Sequence, residues 1–584
     1  MMILRKGSMV ILIILTLYII IPFRVNGQPY QHYSDNNEIV YVHLDKLVYV
    51  TGESIRYKVY AVDAATPGQK PCSKILYFTL TGTQDKNVVN WRINLQDKPV
   101  SSYFTIPADI KSGMYVLTAY TNWMRNGPAD FFCSQNLLIM NLSEATPNTL
   151  MLFSSGDSAT VHHATSVHQG YSLRLKTSKS SYAVNENVQL EINLDSEHQN
   201  TVSADLSVSV SAETPFRKLL EEKDIVSCLP AYSKREMSTV PCLYRMEDKG
   251  FILSGWIKSR KDNSPLTGGK ILLSVIDSIS PKIIYSRTDS AGEFLFYLSK
   301  MYDNKELILQ LEDQSKSVEY YWELDKKIVN ANNRAYIPHL LQSDEMAFLD
   351  NVKNIRLIDA VYANQRVRNQ PEAAITGTNY FSPPDVVVYP DEYADLVNFK
   401  EIADNILPEV KFAIRNNDFY LQVLNSRSAV WKESNMVLLN GVPFTDLAYI
   451  STLGTKDIKR IEIITSNFLV GDLTYPGLVS IYTRDNKVPE IHLKNNTVLY
   501  TNTVILGGTM GETNAEDGAG KPGEHYPDFR NTLYWKPDVT IANNKNLVVE
   551  FPVSMLSGKF TINVQGLTTE GYPVSATTSF EVKE

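Results

Sequence analysis

Met436–Thr483 reads MVLLNGVPFTDLAYISTLGTKDIKRIEIITSNFLVGDLTYPGLVSIYT. The pair Asn440-Gly441 between apolar runs is a strong short-range hairpin signal, because both residues accept positive φ. Ile458 to Ile464 alternates apolar and charged residues, the pattern of a half-buried strand. Leu478 to Tyr482 forms a further strand after the Pro476-Gly477 turn, and a helical piece lies between. Strand, turn, helix, strand and strand together predict a small α/β unit. Asn440 and Gly441 are read as turn formers, not as a binding site.

Working upstream, FKEIADNILPEV over 399–410 predicts a helix that ends at a proline. The order of this helix, LLNGVP, IKRIEII and GLVSIYT resembles the plug domain of TonB-dependent outer-membrane receptors. The resemblance covers 395–485. In that family a barrel of about 22 strands follows the plug, at about 9–11 residues per strand. Residues 484–584 are too few for it, and their first half is rich in Gly and Asn. The resemblance therefore implies a plug-like domain without a barrel.

The N-terminal part has a different texture. Residues 39–57 form two alternating strands around Thr51-Gly52-Glu53, and strands recur near 75–80, 88–93 and 114–120. Short strands at regular spacing predict an antiparallel sandwich. The segments DKLVYVTGESI and IPADIKSGMYVLTAYT resemble the MG2 domain of α2-macroglobulin-like proteins, over 38–145. Lys179, Tyr182, Glu186 and Val188 repeat the spacing of Lys46, Tyr49, Glu53 and Ile55, with Asn185 in place of Gly52. A second sandwich of this kind is expected over 165–247, after a Ser/Thr/His linker at 145–165. The family's protease trap needs a thioester cysteine in a GCGEQ context, which none of the four cysteines has.

Residues 248–325 resemble the carboxypeptidase regulatory-like domain, a transthyretin-like sandwich, through FILSGWI, SPLTGG and TDSAGEFLF. That module is not catalytic and commonly precedes receptor plugs. In 330–394 a helix from Ser343 to about Tyr362 is expected, with Met346, Leu349, Val352 and Ile355 on one side, followed by a proline-marked extended connector. A terminal sandwich is expected over 525–584. The fold class is thus mainly β: tandem immunoglobulin-like or macroglobulin-like sandwiches plus one small α/β plug-like domain.

Length and composition agree with this reading. A chain of 584 residues exceeds one core and suggests about four domains. The net charge of −8 gives no basic face for nucleic acid. Arg5 and Lys6 precede an apolar run of about fourteen residues, short of the ~20 a spanning helix needs. This favours a signal peptide over 1–27 against a retained anchor, and no later stretch suits a transmembrane helix. Export permits disulfides. Sequence order suggests Cys72 with Cys133 and Cys228 with Cys242, the second loop contributing roughly 3 kcal/mol. Zinc would need shorter ligand spacing.

The nine His residues include a cluster at 162, 163 and 168, but none shows metal spacing. No nucleophile elbow, calcium loop or phosphate loop stands out, so no catalytic, cofactor or metal residues are nominated. The expected function is a non-catalytic interaction or assembly role in the cell envelope, in periplasm or at the outer membrane. Such arrays resemble proteins common in Bacteroidota. The expected partner is an envelope protein, with an outer-membrane β-barrel as one candidate. Two alternatives stand: an accessory subunit that gates or docks on a separate barrel, and a hydrolase of an envelope polymer.

Overall fold

The computed structural model describes residues 38–63, 68–83, 89–95, 100–153, 170–197, 202–229, 243–276, 282–298, 305–313, 319–327, 336–363, 383–393, 395–416, 418–489, 497–501, 528–542 and 545–583. The expected signal peptide, Cys242, most of the 145–165 linker and the Gly-rich 502–527 stretch lie outside them.

The first sandwich faces a three-stranded sheet, Glu38–Leu44, Ser54–Asp63 and Ser101–Thr105, against a five-stranded one. The five run in the spatial order Val48–Val50, Cys133–Met140, Gly113–Thr121, Ile75–Gly82, Val89–Asn94. Trp91 stacks between Phe78 and Phe104, with ring centroids 4.8 and 4.3 Å away, and Tyr57 lies 5.0 Å from Phe78. Aromatic pairs at such distances add about 0.5–1.5 kcal/mol beyond their buried area. Cys133 is a buried thiol with no bond to Cys72, so the expected pairing of those two is corrected. It lies in the same apolar cluster as Cys228, and burial first, then the Cys228 thiol, push its pKa up.

The second sandwich repeats this topology strand for strand. Tyr171–Thr177, Asn187–Ser196 and Asn546–Pro552 form its three-stranded sheet. Ser181–Ala183, Pro573–Lys583, Gly558–Thr568, Ser203–Ala212 and Thr532–Ala542 form the five-stranded one. The Lys-x-x-Tyr-x-x-x-Glu spacing has the same structural job in both copies. Lys46 pairs with Glu53, whose Oε2 accepts from Val50 N at 2.9 Å. Lys179 pairs with Glu186, whose Oε2 accepts from Ala183 N at 3.0 Å. Gly52 and Asn185 hold φ of +82° and +63° at matching turn positions, a conformation that Gly and Asn tolerate best.

This sandwich is discontinuous. Four of its strands precede residue 213 and four follow residue 531, so 525–584 is not a separate terminal sandwich and 165–247 is not a complete one. Ser203–Ala212 is flanked on both sides by C-terminal strands: Ala204 sits opposite Ile541 and Thr568. Alternating patterns identify each strand locally but carry no information about a partner more than 300 positions away.

Within the insertion, a third sandwich packs Glu293–Leu298, Phe251–Ser259 and Tyr320–Leu324 against Lys282–Arg287, Lys270–Val275, Glu306–Leu311 and Val498–Thr501. The last strand arrives after the α/β unit, so that unit is itself inserted into the third sandwich. The helix Ser343–Ala363 forms where expected, with Leu349, Val352 and Ile355 buried. Leu349 packs with Val48, Met114, Leu138 and Met140 of the first sandwich. Beside it Thr149–Phe153 pairs with Tyr336–Leu340, so part of the expected 145–165 linker is a strand.

Neighbouring sandwiches meet through buried polar groups. His43 of the first places Nδ1 2.5 Å from Ser207 Oγ of the second, and its ring 5.3 Å from that of Trp535. Ser207 Oγ is 2.8 Å from Tyr60 Oη, which donates to Gln565 O at 2.9 Å. Buried Lys58 meets Asp205 at 2.5 Å on the same seam. Between first and third sandwiches, Glu247 accepts from Tyr77 Oη at 2.8 Å and from Ile252 N at 2.9 Å. Burial raises its pKa to about 7.

Two outcomes follow from these joints. A chain truncated at residue 524 should keep the first sandwich protected from protease but expose 171–212, because half of the second sandwich is gone; continued protection of 171–212 would show that the two halves fold independently. For His43, burial first and Lys58 second lower the pKa to about 3. The unfolded imidazole gains its proton near pH 6.5 and the folded one does not, so the contribution is complete above pH 6.5 and lost as pH falls toward 3. At pH 5 the loss should be about 2 kcal/mol. Thermal denaturation at pH 7 and pH 5 should show a smaller acid shift for His43→Gln, and an equal shift would rule out the imidazole as its source.

Candidate functional site: the α/β unit and its seat

The central sheet of the α/β unit has the order Val386–Val388, Ile458–Ile464, Leu478–Thr483, Met436–Leu439, Val442–Pro443. Asn440 and Gly441 hold φ of +50° and +84°, as the hairpin reading requires. Asn440 does more than turn the chain. Its Nδ2 donates to Thr483 Oγ1 and Lys487 O, both at 2.7 Å, and its Oδ1 accepts from Thr483 N at 2.8 Å. It thus ties the hairpin to the end of a neighbouring strand, a role visible in no local pattern.

Strand residues alternate between two buried faces. Val437, Leu439, Ile461, Ile463, Val479 and Ile481 pack on one side, in one cluster with Phe399 and Ile402 of the helix Phe399–Ile406 and Ile450 of the helix Leu447–Ser451. Met436, Leu438, Ile464 and Leu478 pack on the other, with Leu272 of the third sandwich. Ile458–Ile464 keeps the expected alternation at its start, where Lys459 is exposed and Arg460 half-buried, but is buried on both faces over Ile461–Ile464. Glu462 is satisfied there by Arg460 at 3.0 Å and Tyr482 Oη at 3.2 Å. The hairpin Phe468–Val470/Leu473–Tyr475 presses onto the same sandwich: a Cβ added at Gly471 would stand 2.2 Å from the Tyr285 ring.

The unit starts earlier than residue 395. Val386–Val388, expected as part of the connector, is an edge strand held by Ile458–Ile464 on one side. Its neighbours Pro383, Pro384 and Pro390 and its three-residue length hid it from pattern reading. Asp385 Oδ2 anchors it by accepting from Thr465 N at 2.7 Å and Thr465 Oγ1 at 2.8 Å. On this edge Val387 and Tyr389 are 42% and 44% exposed, and further along the chain Tyr393 and Val397 are 52% and 68% exposed. Among the described residues this strand is paired on one side only, and Val387 and Tyr389 leave apolar surface exposed along it.

A cleft of about 460 Å³ opens where the unit meets the third sandwich, lined among others by Gln310, Glu312, Tyr420, Glu433, Asn435 and Tyr475. Among the described residues no group of three or more His, Cys, Asp and Glu is placed to hold a metal. His162, His163 and His168 lie outside the described residues. The Ser207–His43 contact joins two fully or almost fully buried side chains inside a domain joint, which gives a substrate no approach to that hydroxyl.

No family model matches the chain, and no curated protein matches it. Among solved structures it is similar to alpha-2-macroglobulin of Salmonella reacted with methylamine, at 7% identity and a TM-score of 0.22, covering 94% of this chain and 40% of that one. It is also similar to trypsin-activated alpha-2-macroglobulin from Escherichia coli, at 9% identity and a TM-score of 0.23, covering 94% and 42%. The form activated by porcine elastase gives 10% and 0.22, covering 94% and 43%. The chain spans about two fifths of the length of these structures.

Proposed function

We propose that this is an exported, non-catalytic interaction protein of the cell envelope, in which the α/β unit is the docking module and the sandwiches are its scaffold. The observation that carries the reading is the edge at Val386–Val388, paired on one side among the described residues, with Val387 and Tyr389 exposed on it. An edge strand offers backbone N–H and C=O groups to an added strand, and the alternate side chains give selectivity. The likeness of 395–485 to receptor plugs suggests an outer-membrane β-barrel as the partner. The signal-peptide pattern over 1–27 supports export to the periplasm or outer membrane.

The test is chemical crosslinking in native envelopes with the full chain and with a Val387→Lys/Tyr389→Glu double variant. The wild-type chain should recover one outer-membrane barrel, and the variant should recover it at least tenfold less well, with its thermal stability changed little because both sites are exposed. Equal recovery by the variant would remove the edge as the docking surface. Recovery of no barrel by the wild type would remove the partner.

A further inference from the structure

Two thiols converge on one buried side chain, Tyr41. Cys133 opens the strand Cys133–Met140 and shares its buried face with Gln135 and Leu137. Gln135 donates from Nε2 to Val42 O at 3.2 Å, and Cys133 itself hydrogen-bonds to the Val42 backbone. Cys228 closes the single helical turn Ile225–Cys228, which Asp224 caps by accepting from Ser227 N at 2.9 Å. That turn lies on the same strand of the first sandwich, Glu38–Leu44. Tyr41 Oη donates to Lys223 O at 3.0 Å, and Ile225 N donates to Gln565 Oε1 at 2.8 Å. Burial first, then the Cys228 and Cys133 thiols, push the Tyr41 hydroxyl up, and after burial the Cys228 thiol does the same to Cys133. Tyr41 and the two thiols are thus close enough to feel one another's charge.

Cys72 stands apart from this pair. Its neighbour Ser73 donates from N to Glu38 Oε1 at 2.9 Å, at the far end of the strand that carries Val42. Four residues of strand span about 13 Å, beyond the reach of a disulfide. A structural metal would need further donors, and among the described residues no group of three or more His, Cys, Asp and Glu is placed to hold one. With only four cysteines in 584 residues, the meeting of two from separate segments is not a consequence of composition.

We propose that Cys133 and Cys228 are oxidised to a disulfide, which fastens the segment leaving the second sandwich to the first. The oxidant is a low-molecular-weight or protein disulfide. Cys228, the more accessible of the two thiols, gives up its proton and attacks one sulfur of the donor, forming a mixed disulfide and expelling one thiolate. Cys133 then gives up its proton and attacks Cys228 Sγ, and the second donor thiolate leaves. The two protons end on the two expelled thiolates, so the protein pair loses the two electrons that the donor gains. Because burial holds the Cys133 thiol protonated, the second step belongs to folding, before the joint closes over it. This pairing replaces that of Cys228 with Cys242 suggested by sequence order, and it rests on the fold and not on the docking edge.

The full chain should be produced behind a standard secretion signal in an oxidising periplasm and, separately, in a reducing cytoplasm. Each sample is then denatured with iodoacetamide and no reductant, digested and mapped by mass spectrometry. Because the secretion signal is supplied, the outcome does not depend on the export proposed for 1–27. The periplasmic chain should give two peptides, carrying Cys133 and Cys228, that stay joined until reductant is added, and the cytoplasmic chain should give both alkylated. Reductant should lower the melting temperature of the periplasmic wild type by several degrees and that of Cys228→Ala by less. If Cys228→Ala does not fold, the peptide map of the wild type carries the test alone. Alkylation of most Cys133 or Cys228 in the periplasmic chain, or either of them joined to Cys72 or Cys242, would overturn the assignment.

Discussion

The structure depends on one long-range pairing: Ser203–Ala212 with Thr532–Ala542 on one side and Gly558–Thr568 on the other. Until these strands meet, neither half of the second sandwich can cover its apolar face. In the first sandwich the corresponding hairpin, Ile75–Gly82 to Val89–Asn94, closes locally. In the second, residues 213–531 stand in its place. For a flexible loop, going from half a dozen to over three hundred residues would add about 3–4 kcal/mol of closure entropy. The inserted modules reduce that cost when they fold first, because a folded insert holds its two ends at a fixed separation. The same argument applies one level down, where Val498–Thr501 returns to Glu306–Leu311 only after the α/β unit.

Nesting also explains why so many strands are buried on both faces. Glu38–Leu44 is buried at all seven positions, although an isolated sandwich would leave every second one in water. Its polar residues are held by specific partners: His43 reaches the second sandwich, and Glu38, within the first, accepts from Thr121 Oγ1 at 2.5 Å and from Ser73 N at 2.9 Å. Polar residues at such positions look solvent-facing in sequence. In the folded chain each needs a specific partner, because an unpaired buried polar group costs about 1–3 kcal/mol.

This sets what was legible in the sequence. Local rules were legible: the Asn440-Gly441 turn, the helix with Leu349, Val352 and Ile355 on its buried side, and the repeated Lys, Tyr and Glu around Gly52 and Asn185, all of which depend on residues within a few positions of each other. The mainly β class followed from strand spacing. What could not be read depends on residues far apart in the chain: the split second sandwich, the clamp of Asn440 on Thr483, the placement of Cys133 with Cys228 in one cluster, and the strand Val386–Val388, which needs Ile461–Ile463 to be a strand at all. The candidate edge was hidden for the same reason, since exposed valines and tyrosines in a proline-rich stretch read as a connector until the sheet beside them is known.

The shifted titratable groups bear on where function sits. Strong pKa shifts cluster at active sites when they coincide with a cleft. Here burial pushes His43 down to about 3, lowers Lys58, and raises Glu38 and, to about 7, Glu247. His43, Lys58 and Glu247 belong to joints between modules, and hydrogen bonds to the adjoining module fix each of them. Groups held in this way give a joint one preferred geometry, since moving either module would strand a buried polar atom. The joints therefore favour modules that hold a fixed arrangement over modules that hinge. On such a frame the surfaces free to meet a partner are those left exposed, and among the described residues the edge at Val386–Val388, paired on one side, is one of them.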